Sequence, residues 1–463
     1  MSKFRFERDS MGEVRVPQKA LYGAQTQRAV NNFKLSGITF GRRFIEALGL
    51  IKQIAAKVNG ELGLIPEGTS DAVQEAAREV RKGKWDRHFP LDIYQTGSGT
   101  STNMNANEVI ARRGMDLAVL SIPEEIHPND HVNFGQSSND VIPTAIRVSA
   151  YISCQKDLVP ALEKLRNTVL EKGKEYSQVV KTGRTHLMDA MPVSFEQVFS
   201  SYLRQLDLDV HRIYDVLERI AELPMGGTAV GTGINTHPQF AGNFAMAIAE
   251  ETGYPFVEAR NHFEAQATVD SPVELSGVMK TIAVGLLKIV NDLRWMNSGP
   301  NNGLGEIRLP ALQPGSSIMP GKTNPVIEES VAMVCAQVIG YDAAISIGGL
   351  SGTFELNTML PLVAHNLLEQ IRLLAGSCRH LEEKSVSKLT VNVERVKGLL
   401  ERNPILATVL NPLIGYDKAA EVAKKAFAEN RSIREVAEEM TGISKKELDR
   451  IFNPMRMTWG GLL

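Results

Sequence analysis

The feature that most constrains the fold is a series of long segments with apolar residues at helical spacing. The segment from Val193 to Leu223 contains no internal proline or glycine, and its apolar positions recur every three or four residues: Phe195, Val198, Tyr202, Leu206, Ile213, Leu217 and Ile220. At about 1.5 Å of rise per residue, a helix over this segment extends roughly 45 Å. Similar patterns predict helices over Pro272–Met296, from Pro325 to about Ile347, and from Leu360 to about Leu374.

Several of these segments are apolar nearly all round, as in "VMKTIAVGLLKIV" from Val278 to Val290. Such helices are buried on most sides, which predicts the core of a helical bundle. The apolar surface is wider than one bundle needs, and this excess indicates packing between subunits.

The two ends of the chain differ from this central part. Residues 1–135 are expected to mix short helices with loops rich in glycine, proline and asparagine. Residues 392–463 are expected to form a small helical domain, in which Ser432 and Ser444 each begin an S-x-x-E capping box. The sequence therefore predicts a mostly α protein whose long helices occupy a central domain at 136–391.

Composition excludes several classes of protein. The chain has 463 residues, a net charge of −2 and 43% hydrophobic residues, which does not fit a nucleic-acid or membrane-surface binder. We expect no apolar run long enough to span a bilayer, and the start "MSKFRFERDSMGEVRVP" has no apolar signal core. Cys154, Cys335 and Cys378 lie far apart and give no disulfide, zinc or iron–sulfur spacing. These observations predict a cytoplasmic protein without a metal or other cofactor.

One constrained loop stands out among the helical patterns. The stretch "GSSIMPGKTNP" from Gly315 to Pro325 contains two glycines, two prolines and a single cation, Lys322. Asn324 followed by Pro325 and an apolar-periodic run predicts the N-cap and first residue of a long helix. The loop then delivers an ammonium group to a helix N-terminus, which suits a carboxylate or phosphate. Composition alone slightly favours a plain connection between helices, with a solvated lysine, over such an anion site.

Two further stretches are rich in neutral hydrogen-bond donors. The stretch "TGSGTSTNMNANE" from Thr96 to Glu108 combines glycines with hydroxyl residues and asparagines, but it lacks the G-x-x-x-x-G-K spacing of a phosphate-binding loop. The stretch "GQSSNDVIPT" from Gly135 to Thr144 places small donors before a helical segment. Each could bind an anion, and each is also compatible with a simple turn.

Two stretches carry histidines. In "KTGRTHLMDAMP", Thr185 and His186 are expected in a loop between two long helices, where side chains reach a cleft more easily than a core. A lone histidine is nevertheless more often structural than catalytic. In "HPNDH", His127 and His131 have a spacing that could hold a metal, but no carboxylate-rich partner set accompanies them. We therefore expect no metal site.

These five stretches together resemble motifs of the fumarase/aspartase superfamily, in family order and in a chain of family length. The loop "GSSIMPGKTNP" closely resembles the superfamily signature. Three details are similar to class II fumarases: "TGSGT", where aspartases tend to carry GGAGT; "HPNDHVN", where they tend to carry SPNTHVN; and "GQSSND", where they tend to carry SQSTND. The resemblance implies a three-domain fold with a central five-helix bundle, assembled into a homotetramer whose active sites take loops from three subunits.

The resemblance also implies a reaction and roles for residues. Class II fumarases hydrate fumarate to (S)-malate reversibly by anti addition in the tricarboxylic acid cycle, without metal and through an aci-carboxylate intermediate. The family assigns the carbon base to the position of Ser316, and the acid to that of His186, acting with a nearby water. Glu329 matches the glutamate that orients this histidine, with Glu328 as the alternative. A serine can act as the base only if backbone amides and Lys322 stabilise its alkoxide.

The binding residues implied by the resemblance fall into two sets. Substrate binding is assigned to Ser98, Gly99, Thr100, Ser137, Ser138, Asn139, Thr185, Ser317, Lys322 and Asn324. A second carboxylate site, outside the active centre, is assigned to His127, Pro128, Asn129 and Asp130. The start of a helix with Pro128 at its first position is an alternative explanation of this second set, and the two are compatible.

Two other functions remain open at the level of sequence. An ammonia-lyase such as aspartase uses the same bundle and loop, although the three motif details favour a hydroxyl leaving group. A non-catalytic structural protein on this fold, as some lens crystallins are, would be marked by loss of the serine or the histidine. Ser316 and His186 are both present.

Overall fold

The structure is a computed structural model that describes residues 3–118, 125–459 and 461. Its helices are α1 (Ala24–Asn32), α2 (Arg42–Glu61), α3 (Glu67–Arg81), α4 (Thr100–Leu117), α5 (Ser138–Ser153), α6 (Val159–Glu175), α7 (Phe195–Ile220), α8 (Phe240–Thr252), α9 (His262–Ala267), α10 (Asp270–Met296), α11 (Val326–Leu350), α12 (Leu360–Lys384), α13 (Val393–Glu401), α14 (Asn411–Ile414), α15 (Tyr416–Glu429), α16 (Ile433–Thr441) and α17 (Lys445–Ile451). The predicted mostly α fold is therefore confirmed.

The strands are short and pair only two at a time within the described residues. They are β1 (Phe4–Asp9), β2 (Gly12–Pro17), β3 (Val180–Thr185), β4 (Met188–Ser194), β5 (Glu222–Leu223), β6 (Val257–Glu258), β7 (Ile307–Arg308), β8 (Gly352–Thr353), β9 (Leu356–Asn357) and β10 (Thr390–Val391). The pairs β1–β2, β3–β4, β7–β10 and β8–β9 are antiparallel, and β5–β6 is parallel.

The chain divides into two compact units, and several long helices contribute residues to both. The first unit comprises Met1–Pro160, His211–Ala283 and Ala336–Ala375. The second unit comprises Ala161–Val210, Val284–Cys335 and Gly376–Leu463. The three-domain division drawn from the sequence stays a prediction.

In the first unit, three helices in the N-terminal region are longer than expected. The sequence predicts short helices within residues 1–135, whereas α2, α3 and α4 have 20, 15 and 18 residues, so that expectation is wrong. Glycine and asparagine weaken a helix in isolation, but tertiary packing outweighs propensity here. A Cβ on Gly49 of α2 would lie 2.6 Å from the backbone nitrogen of Arg81, so glycine lets α2 and α3 approach closely.

In the second unit, the C-terminal residues form several short helices around an apolar cluster. Buried side chains between Leu400 and Met457 pack together, and Val180 of β3 joins them. The serine half of each predicted capping box is confirmed, because the Ser432 and Ser444 side chains accept bonds from the backbone N–H groups of Glu435 and Glu447. The strand pair β3–β4 is therefore attached to the C-terminal helices through a shared apolar cluster.

The long helices lie close to their predicted positions, but their ends differ. Helix α11 begins at Val326, one residue later than predicted, and α12 continues to Lys384, well beyond Leu374. An 18-residue window of α11 has a mean hydropathy of 1.5, and the helix is long enough to cross a membrane, so the expectation of no such run is wrong. One helix of this kind is weak evidence for a membrane span, because a core helix passes the same test.

Candidate functional site

The signature loop closes on itself just before α11. The backbone N–H of Gly315 donates to the carbonyl of Lys322 at 2.7 Å. The Asn324 side-chain amide donates to the carbonyl of Gly315 at 2.9 Å, and the Lys322 ammonium donates to Oδ1 of Asn324 at 2.6 Å. A Cβ on Gly315 would lie 2.8 Å from the Lys322 carbonyl, so the close crossing requires glycine there. The Lys322 ammonium, which is the single cation of the loop, is thereby held where the loop closes.

Ser316 lies inside this closed loop with its hydroxyl oxygen surrounded by donors. Its Oγ accepts hydrogen bonds from the backbone N–H of Ile318 at 3.2 Å and of Met319 at 2.9 Å. The side chain is half-buried, whereas the neighbouring Ser317 is exposed. Two backbone donors on one hydroxyl oxygen favour negative charge on it, which is the condition that a serine base requires.

The first turn of α11 separates its two glutamates. Glu328 is buried, and its carboxylate accepts a short hydrogen bond from the Ser385 hydroxyl. Burial raises the pKa of Glu328. Glu329 is half-buried and lines the same cavity as Lys322 and Asn324. Of the two candidates, Glu329 is the one that faces the open side of the loop.

The cavity beside the signature loop is strongly cationic. It has a volume of about 1090 Å³ and lies within the second unit. Arg294, Arg308, Lys322 and Arg395 line it, and Glu329 is the only acidic residue among its lining residues within the described chain. Such a balance of charge attracts a dianion more strongly than a neutral molecule.

Thr185 and His186 lie between the long helices α6 and α7, as expected, but the connection is a β-hairpin and not a loop. Strands β3 and β4 pair antiparallel, with Thr185 opposite Met188, which leaves His186 and Leu187 as a two-residue turn. Both turn residues have positive φ, 54° and 61°. This left-handed conformation matches the twist of a two-residue hairpin. The hairpin exposes the imidazole of His186 at its tip.

In the first unit, the structure joins the second and third predicted stretches by a chain of hydroxyl groups. The Ser98 and Thr100 hydroxyls lie 2.7 Å apart, and the Thr100 and Ser138 hydroxyls also lie 2.7 Å apart. Gly99, between the first two, has φ of 73° and is the N-cap of α4. Residues separated by 38 positions therefore present their hydroxyls together.

The third stretch is fixed by the start of α5. Ser137 caps this helix in a capping box with Asp140. Asn139 is held by its side-chain amide, which donates to the Ala229 carbonyl at 2.8 Å. The Asp140 carboxylate oxygen that takes no part in the capping box, Oδ2, accepts hydrogen bonds from the backbone N–H groups of Gly226 and Thr228. The donors of Ser137, Ser138 and Asn139 thus sit on a rigid helix N-terminus.

The predicted second carboxylate site forms a helical turn. His127 is the N-cap of the segment Pro128–Val132, as the alternative explanation predicts. Its Nδ1 accepts from the backbone N–H groups of Asn129 and Asp130, and it lies 3.0 Å from the Asp130 carboxylate. Nδ1 of His131 accepts from the His127 backbone N–H. Within residues 3–118, 125–459 and 461, no group of three or more His, Cys, Asp or Glu side chains could hold a metal ion.

Some predicted site residues are not in contact. Among the described hydrogen bonds and ion pairs, none links His186 to Ser316, Lys322 or Glu329. The neutral donors of α4 and α5 belong to the first unit, whereas these four residues belong to the second. Each unit therefore presents its own part of the predicted site.

Sequence reasoning did not single out several charged residues near these loops. Arg294, Arg308 and Arg395 line the cationic cavity, and Lys52 is fully buried on α2. No motif surrounds them. The available signal for Lys52 was its place in "LIKQIAA" (Leu50–Ala56), where the apolar neighbours predict a buried helix face.

Comparisons with known proteins show the family of the chain. A family described as "Lyase" matches residues 12–340, and one described as "Fumarase C C-terminus" matches residues 406–459. The helical fold and the signature loop thus define a lyase of the fumarase/aspartase superfamily. The chain is 54% identical over 460 residues to fumarate hydratase class II of Xylella fastidiosa strain Temecula1, covering 99% of this chain and 96% of that protein.

Two further relatives extend this result. The chain is 51% identical to fumarate hydratase class II 2 of Pseudomonas aeruginosa, with 100% of both chains covered. The crystal structure of class II fumarase from Schistosoma mansoni superimposes with a TM-score of 0.95 at 40% identity, covering 98% of this chain and 99% of that one. The chain belongs to the class II fumarase family.

Proposed function

We propose that this chain is a fumarate hydratase that interconverts fumarate and (S)-malate by anti addition of water, in the tricarboxylic acid cycle and without metal. The observation that carries the proposal is the Ser316 oxygen, which accepts two backbone N–H bonds inside a loop that also holds Lys322. Full-length identity of 54% to a fumarate hydratase class II supports it.

The first chemical step in the dehydration direction is proton abstraction from carbon. The Ser316 oxygen takes a proton from the methylene carbon of malate, and the electron pair of that C–H bond spreads into the adjacent carboxylate. The N–H groups of Ile318 and Met319 stabilise the serine alkoxide before this transfer. The Lys322 ammonium stabilises the aci-carboxylate dianion that results. This loop therefore supplies the base and the countercharge together.

The second step expels the hydroxyl group from the opposite face. The C–O bond breaks as His186, acting through a water molecule, supplies a proton, so the hydroxyl leaves as water and fumarate forms. Imidazole exchanges a proton nearest to neutral pH of all side chains, which suits this role. Glu329 orients the imidazole, and Thr185 binds a substrate carboxylate. The remaining donors bind the two carboxylates, namely Ser98, Gly99, Thr100, Ser137, Ser138, Asn139, Ser317 and Asn324.

We propose that the active chain is a homotetramer in which each site takes loops from three subunits. Helix α11 supports this proposal, because only 33% of its most apolar window is buried within one chain. Its exposed positions carry no charge and include Met333, Ala336, Gly340, Ala343, Ile347 and Leu350. An exposed, uncharged helix face of this length is typical of a surface that packs against another subunit. Light scattering should give the mass of a tetramer, and an active monomer would contradict the shared site.

We also propose that His127, Pro128, Asn129 and Asp130 bind a second carboxylate, and that the protein works in the cytoplasm. The support for the second site is an exposed helix start, since the side chain of His127 is half exposed and that of Asp130 more so. This site lies outside the chemistry, so His127→Asn should keep near-normal turnover. A variant that lost activity would place this segment in the catalytic centre.

The test of the function is a direct assay on chelator-treated, air-exposed protein. Adding (S)-malate should raise the absorbance of the fumarate double bond, and adding aspartate should not. Loss of activity under oxygen or chelation would contradict a metal-independent enzyme. Activity with aspartate alone would favour the ammonia-lyase alternative.

Three substitutions then separate the proposed roles. Ser316→Ala should lower turnover by orders of magnitude with little effect on malate binding, because it removes the base and leaves the anion donors. His186→Asn should also slow turnover strongly. Lys322→Met should weaken binding and turnover alike, because its charge serves the ground state and the dianion. Restored activity on mixing Ser316→Ala with His186→Asn subunits would show that one site draws on different chains.

A further inference from the structure

Lys52 is a fully buried cation that the proposed chemistry does not use. It lies on α2, with none of its side chain exposed to solvent. Its ammonium donates to Oδ1 of Asn133 at 2.8 Å and to Oε1 of Gln136 at 2.9 Å. Burying an ammonium group is costly unless its hydrogen bonds are satisfied, so a lysine at this position requires a reason.

Asn133 is a junction between α2, α4 and the segment that precedes α5. Its Oδ1 also accepts from the side-chain amides of Asn103 and Asn107, each at 3.1 Å. Both of these asparagines are buried on α4, the helix that begins at Thr100. A single oxygen with three donors is stabilised by a positive charge, and Lys52 supplies it.

Gln136 continues the network toward the donor residues of α5. It immediately precedes Ser137, and its side-chain amide donates to the carbonyls of Val132 and Phe134. The Asn133 amide donates in turn to the Gln136 carbonyl at 3.1 Å. The backbone that leads into Ser137 is thus fixed on both sides by groups that Lys52 holds.

Asp140 is the anionic counterpart of Lys52 across this network. It is fully buried on the first turn of α5. Burial raises its pKa to about 6, against the lowering by its backbone hydrogen bonds and by the charge of Lys52. Burial lowers the pKa of Lys52 to about 7, and the charge of Asp140 opposes this shift. Among the described hydrogen bonds and ion pairs none joins the two groups directly, and they interact through their charges.

We propose that Lys52 is a positioning residue of the dicarboxylate site. Lys52 holds Asn133 and Gln136, and through these two residues it fixes Thr100 and Ser137–Asn139 against one substrate carboxylate. The inference rests on the proposed function. Among the hydrogen bonds of the described residues, Lys52 reaches no predicted site residue itself, so it acts through the two amides.

A packing role alone would not explain these contacts. The aliphatic stem of a lysine can be replaced by methionine of similar length, which fills the same space without a charge. A site that depends on the charge should therefore respond to this change in a way that a packing role does not. The donors of α4 and α5 bind a carboxylate in ground state and transition state alike, so their displacement should raise KM more than it lowers kcat.

The experiment compares Lys52→Met with Lys57→Met in the intact protein. Lys57 lies on the same helix, but its side chain is partly exposed and pairs only loosely with Glu61 at 3.8 Å. We expect Lys52→Met to raise KM for both malate and fumarate about tenfold or more, with kcat within about threefold of wild type. The Lys57→Met control should keep wild-type KM, kcat and thermal midpoint.

Asn133→Leu provides a second variant that removes the junction and leaves Lys52 in place. It should raise both KM values in the same manner, and it carries the test alone if Lys52→Met does not fold. Wild-type KM in either folded variant, or a fall in kcat without a change in KM, would overturn the inference. A wild-type protein that does not hydrate fumarate would instead refute the proposed function, so the two failures are distinguishable.

Discussion

Gly97 is the tightest point of the donor segment before α4, and a single methyl group there should misplace the site. A Cβ on Gly97 would lie 1.9 Å from the carbonyl oxygen of Thr358 and 2.8 Å from its Cβ. The backbone of Gly97 is itself bonded in this region, because its carbonyl accepts from the N–H of Leu360 at 3.0 Å. The substitution Gly97→Ala therefore forces backbone against backbone, with no flexible side chain to move aside.

The size of the effect follows from the size of the clash. Real Cβ atoms essentially never lie closer than 3.0 Å to such a neighbour. Increasing the distance from 1.9 Å to 3.0 Å requires a shift of about 1.1 Å. Ser98 and Thr100 lie within this moving segment. A misplacement of about 1 Å costs roughly 10²-fold in rate, which corresponds to about 2.7 kcal/mol of lost transition-state stabilisation. Overpacking adds a loss of stability of about 1–3 kcal/mol.

The assay is kcat/KM for (S)-malate alongside a thermal unfolding curve. Gly97→Ala should lose about 10²-fold in kcat/KM and unfold at a lower temperature. The matched control is Gly398→Ala on α13, where a Cβ would meet nothing within 4 Å. This control should keep full activity and gain a little stability, since alanine favours a helix. Activity within about twofold of wild type in Gly97→Ala would refute the reasoning.

Three further predictions concern other parts of the chain. Burial raises the pKa of Asp92, but the backbone N–H groups of Tyr94, Ser36 and Gly37 and the Ser36 hydroxyl outweigh it and lower the pKa to about 2. The ionised Asp92 carboxylate therefore stabilises the fold above about pH 4, and this stabilisation is lost as pH falls through about 2. The substitution Asp92→Asn should lower the urea midpoint of unfolding at pH 7 but not at pH 2, and equal losses at both pH values would contradict this. Burial raises the pKa of all three cysteine thiols, that of Cys335 to about 11, so iodoacetamide should modify them only in denaturant, as mass spectrometry would show. Asn403 is buried, and its side-chain amide donates to the Ala190 carbonyl of β4 at 2.8 Å. Asn403→Ala should lower the thermal midpoint and should also slow turnover, because the hairpin that carries His186 loses this support. Unchanged turnover would show that this bond does not support the hairpin.

The sequence was most informative where a local pattern determines the structure. The composition of "GSSIMPGKTNP" predicts a loop before a long helix, and the structure places α11 one residue beyond the predicted start. The caps at Ser432 and Ser444 also follow from four-residue patterns. Such features depend on neighbouring residues alone, so they can be read without knowledge of the rest of the fold.

Features that depend on distant contacts could not be predicted in the same way. The hairpin around His186 carries no Asn-Gly or Gly-Gly signal, and its positive φ values fall on histidine and leucine. The junction at Asn133 joins residues that lie 26 to 81 positions apart. No periodicity or motif in the sequence indicates these contacts, because they form only when whole helices pack together.

The candidate site likewise combines features that the sequence indicates with features that only the structure shows. The residue types at Ser316, Lys322 and His186 suggested their chemistry, and the resemblance supplied their roles. The two N–H bonds to the Ser316 oxygen became visible only in the structure, because they depend on the closed shape of the loop. The approach of the donor segments to the signature loop involves other subunits in the proposed assembly, and one chain does not contain that information.

The most direct test of the account is hydration of fumarate in D2O, followed by proton NMR of the malate formed. The central claim is that Ser316 delivers hydrogen to carbon on the face opposite to the incoming water. Chelator-treated wild-type protein should therefore give a single diastereomer of (S)-malate with one deuterium at the methylene carbon. Ser316→Ala should form this product orders of magnitude more slowly. A mixture of both diastereomers, or an unchanged rate in Ser316→Ala, would contradict the claim.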